Sequence, residues 1–197
     1  GDTLTEDLDL SYRAHLRGWR AQYLMDLAVP GEIPATLEAW RSQQFRWAKG
    51  SLQTARKLLP AVLASSWSLK RKLSALGHLT HYLIHPLILL SLLLAPIALS
   101  VLGSHPSLLI VGALLMLSGM LPPLLLYIAS QVILGRPRRR LVAIPALMAL
   151  GTGIAVSNTV AALDVFGNRV KEFIRTPKQG EGTGSYRPLS ASGLPEI

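Results

Sequence analysis

The sequence predicts a mainly α-helical membrane protein, and three observations carry that reading. Half of the 197 residues are hydrophobic while only 16% are charged, a balance foreign to ordinary soluble domains. No Lys, Arg, Asp or Glu occurs from Leu73 to Gly135. Basic clusters flank that stretch, Lys70-Arg71-Lys72 before it and Arg136, Arg138, Arg139 and Arg140 after it.

The formal charge of +9 sits beside apolar segments and forms no stripe interleaved with aromatics, so nucleic acid is not the expected partner. An anionic lipid leaflet, or an anionic substrate such as a nucleotide diphosphate, suits these charges better. With no cysteine, disulfides and thiolate metal sites are excluded. The chain opens on Gly1 and not on Met, which suggests a fragment of a longer protein.

Thr3 to Leu16 has the pattern of a helix, with Thr3 and Glu6 spaced as a capping box, Leu8, Tyr12 and Leu16 at i, i+4 and i+8, and Gly18 as a stop. Ala21 to Val29 is strand-like and ends at Pro30-Gly31. Helix, strand and following helix together suggest the end of an α/β domain.

Pro34-Ala35-Thr36 opens a second helix, expected to run to about Leu59 and to stop at Pro60. On it Gln43, Arg46 and Trp47 stand at i, i+3 and i+4, so an amide, a guanidinium and an indole share one face. Trp40, Leu37 and Leu52 are apolar neighbours, while Arg41, Lys49, Arg56 and Lys57 keep much of the circumference basic. Such a helix suits the cytosolic membrane interface.

Leu79 to Leu102 would extend about 36 Å as a helix, enough to cross a hydrocarbon core of about 30 Å. Ser107 to Leu134 forms a second crossing, tilted or kinked at Pro122-Pro123. Positive charge at both outer ends places those ends in the cytosol. Leu141 to Leu163 is long enough to span but carries Pro145, Gly151 and Gly153. A crossing there would put Arg169, Lys171, Arg175 and Lys178 outside, against the charge rule, so an interfacial or re-entrant helix is preferred to a third crossing. After Lys178 the Gly, Ser and Pro content indicates a flexible tail.

Transfer of a sugar with inversion needs a base for the acceptor hydroxyl, charge stabilisation for the departing diphosphate and a platform for the acceptor. Asp7 is the candidate base, Arg46 the diphosphate partner, Trp47 a stacking surface and Gln43 a hydrogen-bonding group for acceptor hydroxyls. Each has a plain alternative. Carboxylates in a first helical turn are favoured by the macrodipole regardless of chemistry, and Arg and Trp serve interfacial helices as snorkelling and belt residues. His78, His81 and His85 share a helical face, but no carboxylate accompanies them and no metal site is expected there. Asp164, the one acid near the third apolar run, is expected to face water.

Joint occurrence decides between these readings. Thr5-Glu6-Asp7, followed some forty residues later by Gln43-Gln44-Phe45-Arg46-Trp47 just before an apolar hairpin, resembles family 2 inverting glycosyltransferases of the cellulose synthase, cellulose-synthase-like and hyaluronan synthase type. The resemblance implies that Asp7 is the general base and that Gln43, Arg46 and Trp47 line the acceptor site at a channel mouth. Phe173, Thr176 and Lys178 match that family's Phe-x-Val-Thr-x-Lys gating loop, with Arg175 in place of Val. By resemblance, Thr176 and Lys178 bind the nucleotide diphosphate, and the loop is cytosolic and follows an interfacial helix. The Val-to-Arg departure puts cellulose itself in doubt.

The expected organisation is therefore residues 1–34 as the end of a GT-A-like α/β catalytic domain, 35–75 as interfacial helices with the Gln-x-x-Arg-Trp motif and 76–135 as a transmembrane hairpin. Residues 136–172 form an interfacial or re-entrant segment, 173–178 the gating loop and 179–197 the tail. The resemblance implies a UDP-sugar or other nucleotide-sugar donor, a polysaccharide or glycolipid acceptor, a lipid bilayer and export or assembly subunits as partners, in a multi-pass protein of the inner (plasma) membrane. It also implies a divalent metal, Mg or Mn, whose ligands belong with the nucleotide-binding half expected ahead of Gly1, so that the fragment alone is inactive. A non-processive glycolipid synthase and a non-catalytic membrane channel or assembly subunit remain as the alternative functions.

Overall fold

A computed structural model describes residues 2–24, 33–103, 105–133 and 140–167, all of them helical or irregular, with no strand among the described residues. Among the described residues seven α-helices of ten or more residues follow one another: α1 (Glu6–Leu16), α2 (Leu37–Ala64), α3 (Leu69–Thr80), α4 (Ile84–Leu102), α5 (Pro106–Ile133), α6 (Ile144–Gly153) and α7 (Ala155–Asp164). A 3-10 turn, His81–Leu83, joins α3 to α4. The expected strand is not formed where it is described, because residues 21–24 have no regular structure; its remainder lies outside the described residues. The chain divides into two compact units, Gly1–Tyr82 with Val160–Ile197, and Leu83–Thr159.

In the first unit α2 is the hub, and helical periodicity gives it three working faces. Ala55, Leu58 and Val62 form a core with Tyr12 of α1 and with Ala75 and Leu79 of α3, and Leu8 and Leu16 pack against it. The i, i+4, i+8 stripe of α1 thus buries as its spacing predicts. Val62 and Leu79 are fully buried, each worth about 1.5–3 kcal/mol of transfer free energy. Ser51 Oγ donates to the Leu79 carbonyl at 3.2 Å, and Lys72 Nζ donates to that of Leu63 at 2.7 Å, closing the α2–α3 hairpin.

A second face carries Phe45, Ala48 and Leu52, which pack on Ala161, Ala162 and Val165 at the end of α7, with Tyr82 alongside. Lys49 lies on this face, 1% exposed, and its Nζ donates to Asp164 Oδ2 at 2.6 Å. Arg56 donates to the Val165 carbonyl at 3.0 Å. Neither Lys49 nor Asp164 therefore has the solvent-facing role expected of it. Packing between segments more than a hundred residues apart brings the two charges together, and each offsets the other's desolvation.

Helix ends follow local chemistry with two exceptions. Gly18, at φ +88, ends α1: the Trp19 amide donates to the Ala14 carbonyl and that of Gly18 to His15, a Schellman arrangement that favours glycine. Thr36 caps α2 by accepting from the Ala39 amide at 3.1 Å, and Ser68 accepts from that of Arg71 to cap α3. The first exception is Pro60, expected to stop α2 but lying within it. Its missing amide and ring clash cost about 3 kcal/mol, a penalty set against the burial of Leu58 and Val62 on either side. The second is the start of α1, where Thr5 and not Thr3 is the N-cap residue and its side chain makes no capping hydrogen bond.

The apolar helices leave most of their surface exposed. The helical stretch Leu69–Val101 has a mean hydropathy of 2.2, yet only 6% of its most apolar window is buried, unlike the core helix of a soluble protein. Ile144–Asp164 is also long and apolar enough to cross a membrane. Pro122 and Pro123 lie inside α5. Asn158, fully buried, hydrogen-bonds His85 at 2.9 Å, so two polar groups in an apolar setting satisfy part of each other's need.

Candidate functional site

Asp7 occupies the first turn of α1 and is exposed. Its Oδ1 accepts from the Leu8 amide at 2.8 Å, and its carbonyl accepts from Ser11 Oγ. Acidic residues at Glu6, Asp7 and Asp9 and basic ones at Arg13 and His15 complement the helix dipole.

Gln43 and Arg46 are half-buried on α2, and Trp47 is 46% exposed. Burial lowers the pKa of the Arg46 guanidinium from its ordinary value, because the surrounding protein solvates the cation less well than water does. A partly desolvated guanidinium favours a planar anionic partner such as a carboxylate or phosphate. The exposed indole offers an apolar face and a single donor, the combination that sugar rings use for stacking.

The third face of α2 links these residues to Asp7. Gln43, Arg46, Gly50, Gln53 and Lys57 recur at i, i+3, i+7, i+10 and i+14 and so share one face, with Trp47 and Thr54 at its edge. Thr5 packs directly against Gly50, and a Cβ there would lie 2.6 Å from Thr5 Cγ2. The Leu4 amide donates to Gln53 Oε1 at 3.0 Å, and the Thr5 and Thr54 hydroxyls are 3.3 Å apart. Lys57 Nζ reaches Asp2 Oδ1 at 2.8 Å and Asp9 Oδ2 at 2.7 Å, while Arg13 also pairs with Asp9. The segment carrying Asp7 is therefore seated on the face that carries Gln43 and Arg46.

Sequence reasoning missed Gly50, Thr54 and the docking role of Thr5. A signal for the first was present: a glycine inside a helix costs about 1 kcal/mol relative to alanine, so its presence suggests close approach of another segment. The histidines take separate partners. His78 Nδ1 hydrogen-bonds Tyr12 Oη at 3.0 Å, His81 Nδ1 donates to the His78 carbonyl at 2.7 Å, and His85 meets Asn158. Among the described residues no three His, Asp or Glu side chains gather into a ligand set. Phe173, Arg175, Thr176 and Lys178 lie outside the described residues.

A family model described as glycosyl transferase family group 2 matches residues 1–154. Over 61 residues, 31% of this chain, the sequence is 46% identical to glucomannan 4-beta-mannosyltransferase 2 of Arabidopsis thaliana, covering 11% of that protein. It is 49% identical over 57 residues, 29% of the chain, to probable glucomannan 4-beta-mannosyltransferase 9 of Oryza sativa subsp. japonica, again covering 11%. The chain thus matches about a ninth of the length of these curated relatives. No solved structure matches it.

Proposed function

Because the chain belongs to glycosyl transferase family group 2, we propose that it forms the acceptor side of a membrane-embedded inverting hexosyltransferase that extends a polysaccharide from a nucleotide-sugar donor. The contact of Thr5, two residues before Asp7, with Gly50 and Thr54 of the helix that carries Gln43, Arg46 and Trp47 is the observation that supports this reading. The proposal is that these four side chains, Asp7, Gln43, Arg46 and Trp47, act on one acceptor.

In the proposed reaction the acceptor hydroxyl attacks the anomeric carbon of the donor as its proton passes to the Asp7 carboxylate. The bond from that carbon to the diphosphate oxygen breaks, and its electron pair leaves with the diphosphate. Arg46 stabilises the charge that develops on the departing group. Trp47 stacks on the acceptor sugar and Gln43 hydrogen-bonds its hydroxyls, fixing the attack geometry. Phe173, Arg175, Thr176 and Lys178 are proposed, from the motif alone, to close over the diphosphate. The donor-binding half and its Mg or Mn site are assigned to segments outside these 197 residues, and no step above is routed through the metal.

Exposure of the apolar α4 surface supports placement in a bilayer, with the site residues on its cytosolic face. The relatives are named as glucomannan 4-β-mannosyltransferases, which supports a 4-β-linked hexose polymer as the product; coupled passage of that chain across the membrane is part of the proposal. Radiolabelled UDP-glucose and GDP-mannose supplied to vesicles containing the full-length protein test this. A polymer is the expected product. One or two sugars on a lipid would indicate the glycolipid synthase, and no incorporation from either donor would favour a channel or assembly subunit.

A further inference from the structure

We propose that Thr5, Gly50 and Thr54 form a positioning lock that sets where the first turn of α1, and with it Asp7, stands on α2. This rests on the reading of Asp7 as the base. Thr5 occupies the N-cap position of α1, where a threonine hydroxyl ordinarily accepts from an amide of the first turn, but it makes no such bond. Its Oγ1 instead lies 3.3 Å from Oγ1 of Thr54, a residue with no exposed surface. The side chain thus forgoes local helix stabilisation for a contact 49 residues away.

Gly50 makes that contact sterically specific. A Cβ at this position would lie 2.6 Å from Thr5 Cγ2 and 2.8 Å from both Thr5 Oγ1 and the Thr5 backbone nitrogen. Side-chain rotation relieves the first two contacts but not the third, so any larger residue at 50 must displace the backbone two residues before Asp7. The helices do not need this contact to stay together, since Tyr12, Leu8 and Leu16 already pack on Ala55, Leu58 and Val62 further along. What the lock adds is the register of the first turn relative to Arg46, one turn away from Gly50 on α2. A displacement of about 1 Å in a reacting group costs on the order of 100-fold in rate.

The test uses the full-length protein in membrane vesicles with labelled UDP-glucose and GDP-mannose. Gly50→Ala is expected to lower kcat by about 10- to 100-fold with the donor KM within about threefold, and adding Thr5→Ser is expected to recover little of the loss, since the clash with the Thr5 backbone nitrogen remains. Because Gly50→Ala could reduce protein levels, a second protein carries Thr5→Cys with Thr54→Cys. The 197 residues contain no other cysteine, and mass spectrometry of the linking peptide reads the disulfide directly. Cross-linking on mild oxidation, with turnover several-fold higher in the oxidised than in the reduced protein, supports the lock. Failure to cross-link, turnover indifferent to the disulfide, or wild-type kcat in Gly50→Ala while Asp7→Asn is inactive each overturns the lock and leaves the base assignment standing. Full turnover in Asp7→Asn overturns the base assignment, and the lock's purpose with it.

Discussion

Lys49 Nζ and Asp164 Oδ2 lie 2.6 Å apart across 115 residues of sequence, with the lysine 1% and the aspartate 15% exposed. This pair ties the helix that carries Gln43, Arg46 and Trp47 to the end of α7. Removing one partner strands a buried charge, which costs about 3–5 kcal/mol, whereas replacing both by apolar residues is often close to neutral. Lys49→Met or Asp164→Asn alone is therefore expected to lower the thermal midpoint of the purified full-length protein, and Lys49→Met with Asp164→Leu to recover most of it. Equal losses in the single and double variants would show that the pair does not couple these helices.

Lys57 gives a second electrostatic expectation, with its sign set by linkage. Hydrogen bonds to Asp2 and Asp9 raise the Lys57 pKa, and the bond from Lys57 lowers that of Asp2. The Lys57 contribution is complete below the ordinary lysine value and is lost as pH rises through the raised one. That of Asp2 is complete above the ordinary carboxylate value and is lost as pH falls through the lowered one. The difference in thermal midpoint between wild type and Lys57→Met is thus expected to stay flat from about pH 5 to about pH 9. A slope within that window would contradict the assignment.

Trp47 is the residue whose proposed role separates acceptor binding from donor binding. If its exposed indole stacks on the acceptor sugar as proposed, Trp47→Ala is expected to weaken acceptor use by about 10-fold while donor KM changes little. Steady-state kinetics with an oligosaccharide acceptor measures this. Unchanged acceptor dependence would remove the indole from the acceptor platform.

Much of the scaffold was legible because it is local. The spacing of Leu8, Tyr12 and Leu16, the stop at Gly18 and the cap at Thr36 all depend on neighbours within two helical turns, and the helices form accordingly. Pro60 carries a local stop signal that α2 passes through, with Leu58 and Val62 buried on either side of it. The Thr3–Glu6 spacing fits a capping box, yet Thr5 is the N-cap residue and packs on Gly50 instead of capping. Lys49 and Asp164 gave no local sign of each other, since their partnership exists only once α7 packs on α2. At the site, the residue types at Asp7, Gln43, Arg46 and Trp47 could be picked from pattern, but the contact that seats one segment on the other could not.

Asp7 is the residue on which the proposed chemistry most depends, and its exchange is nearly isosteric. With the full-length protein in membrane vesicles and labelled nucleotide sugar as donor, Asp7→Asn is expected to reduce sugar incorporation by at least about 100-fold at unchanged protein level. Incorporation at the wild-type rate would contradict the assignment of Asp7 as the base.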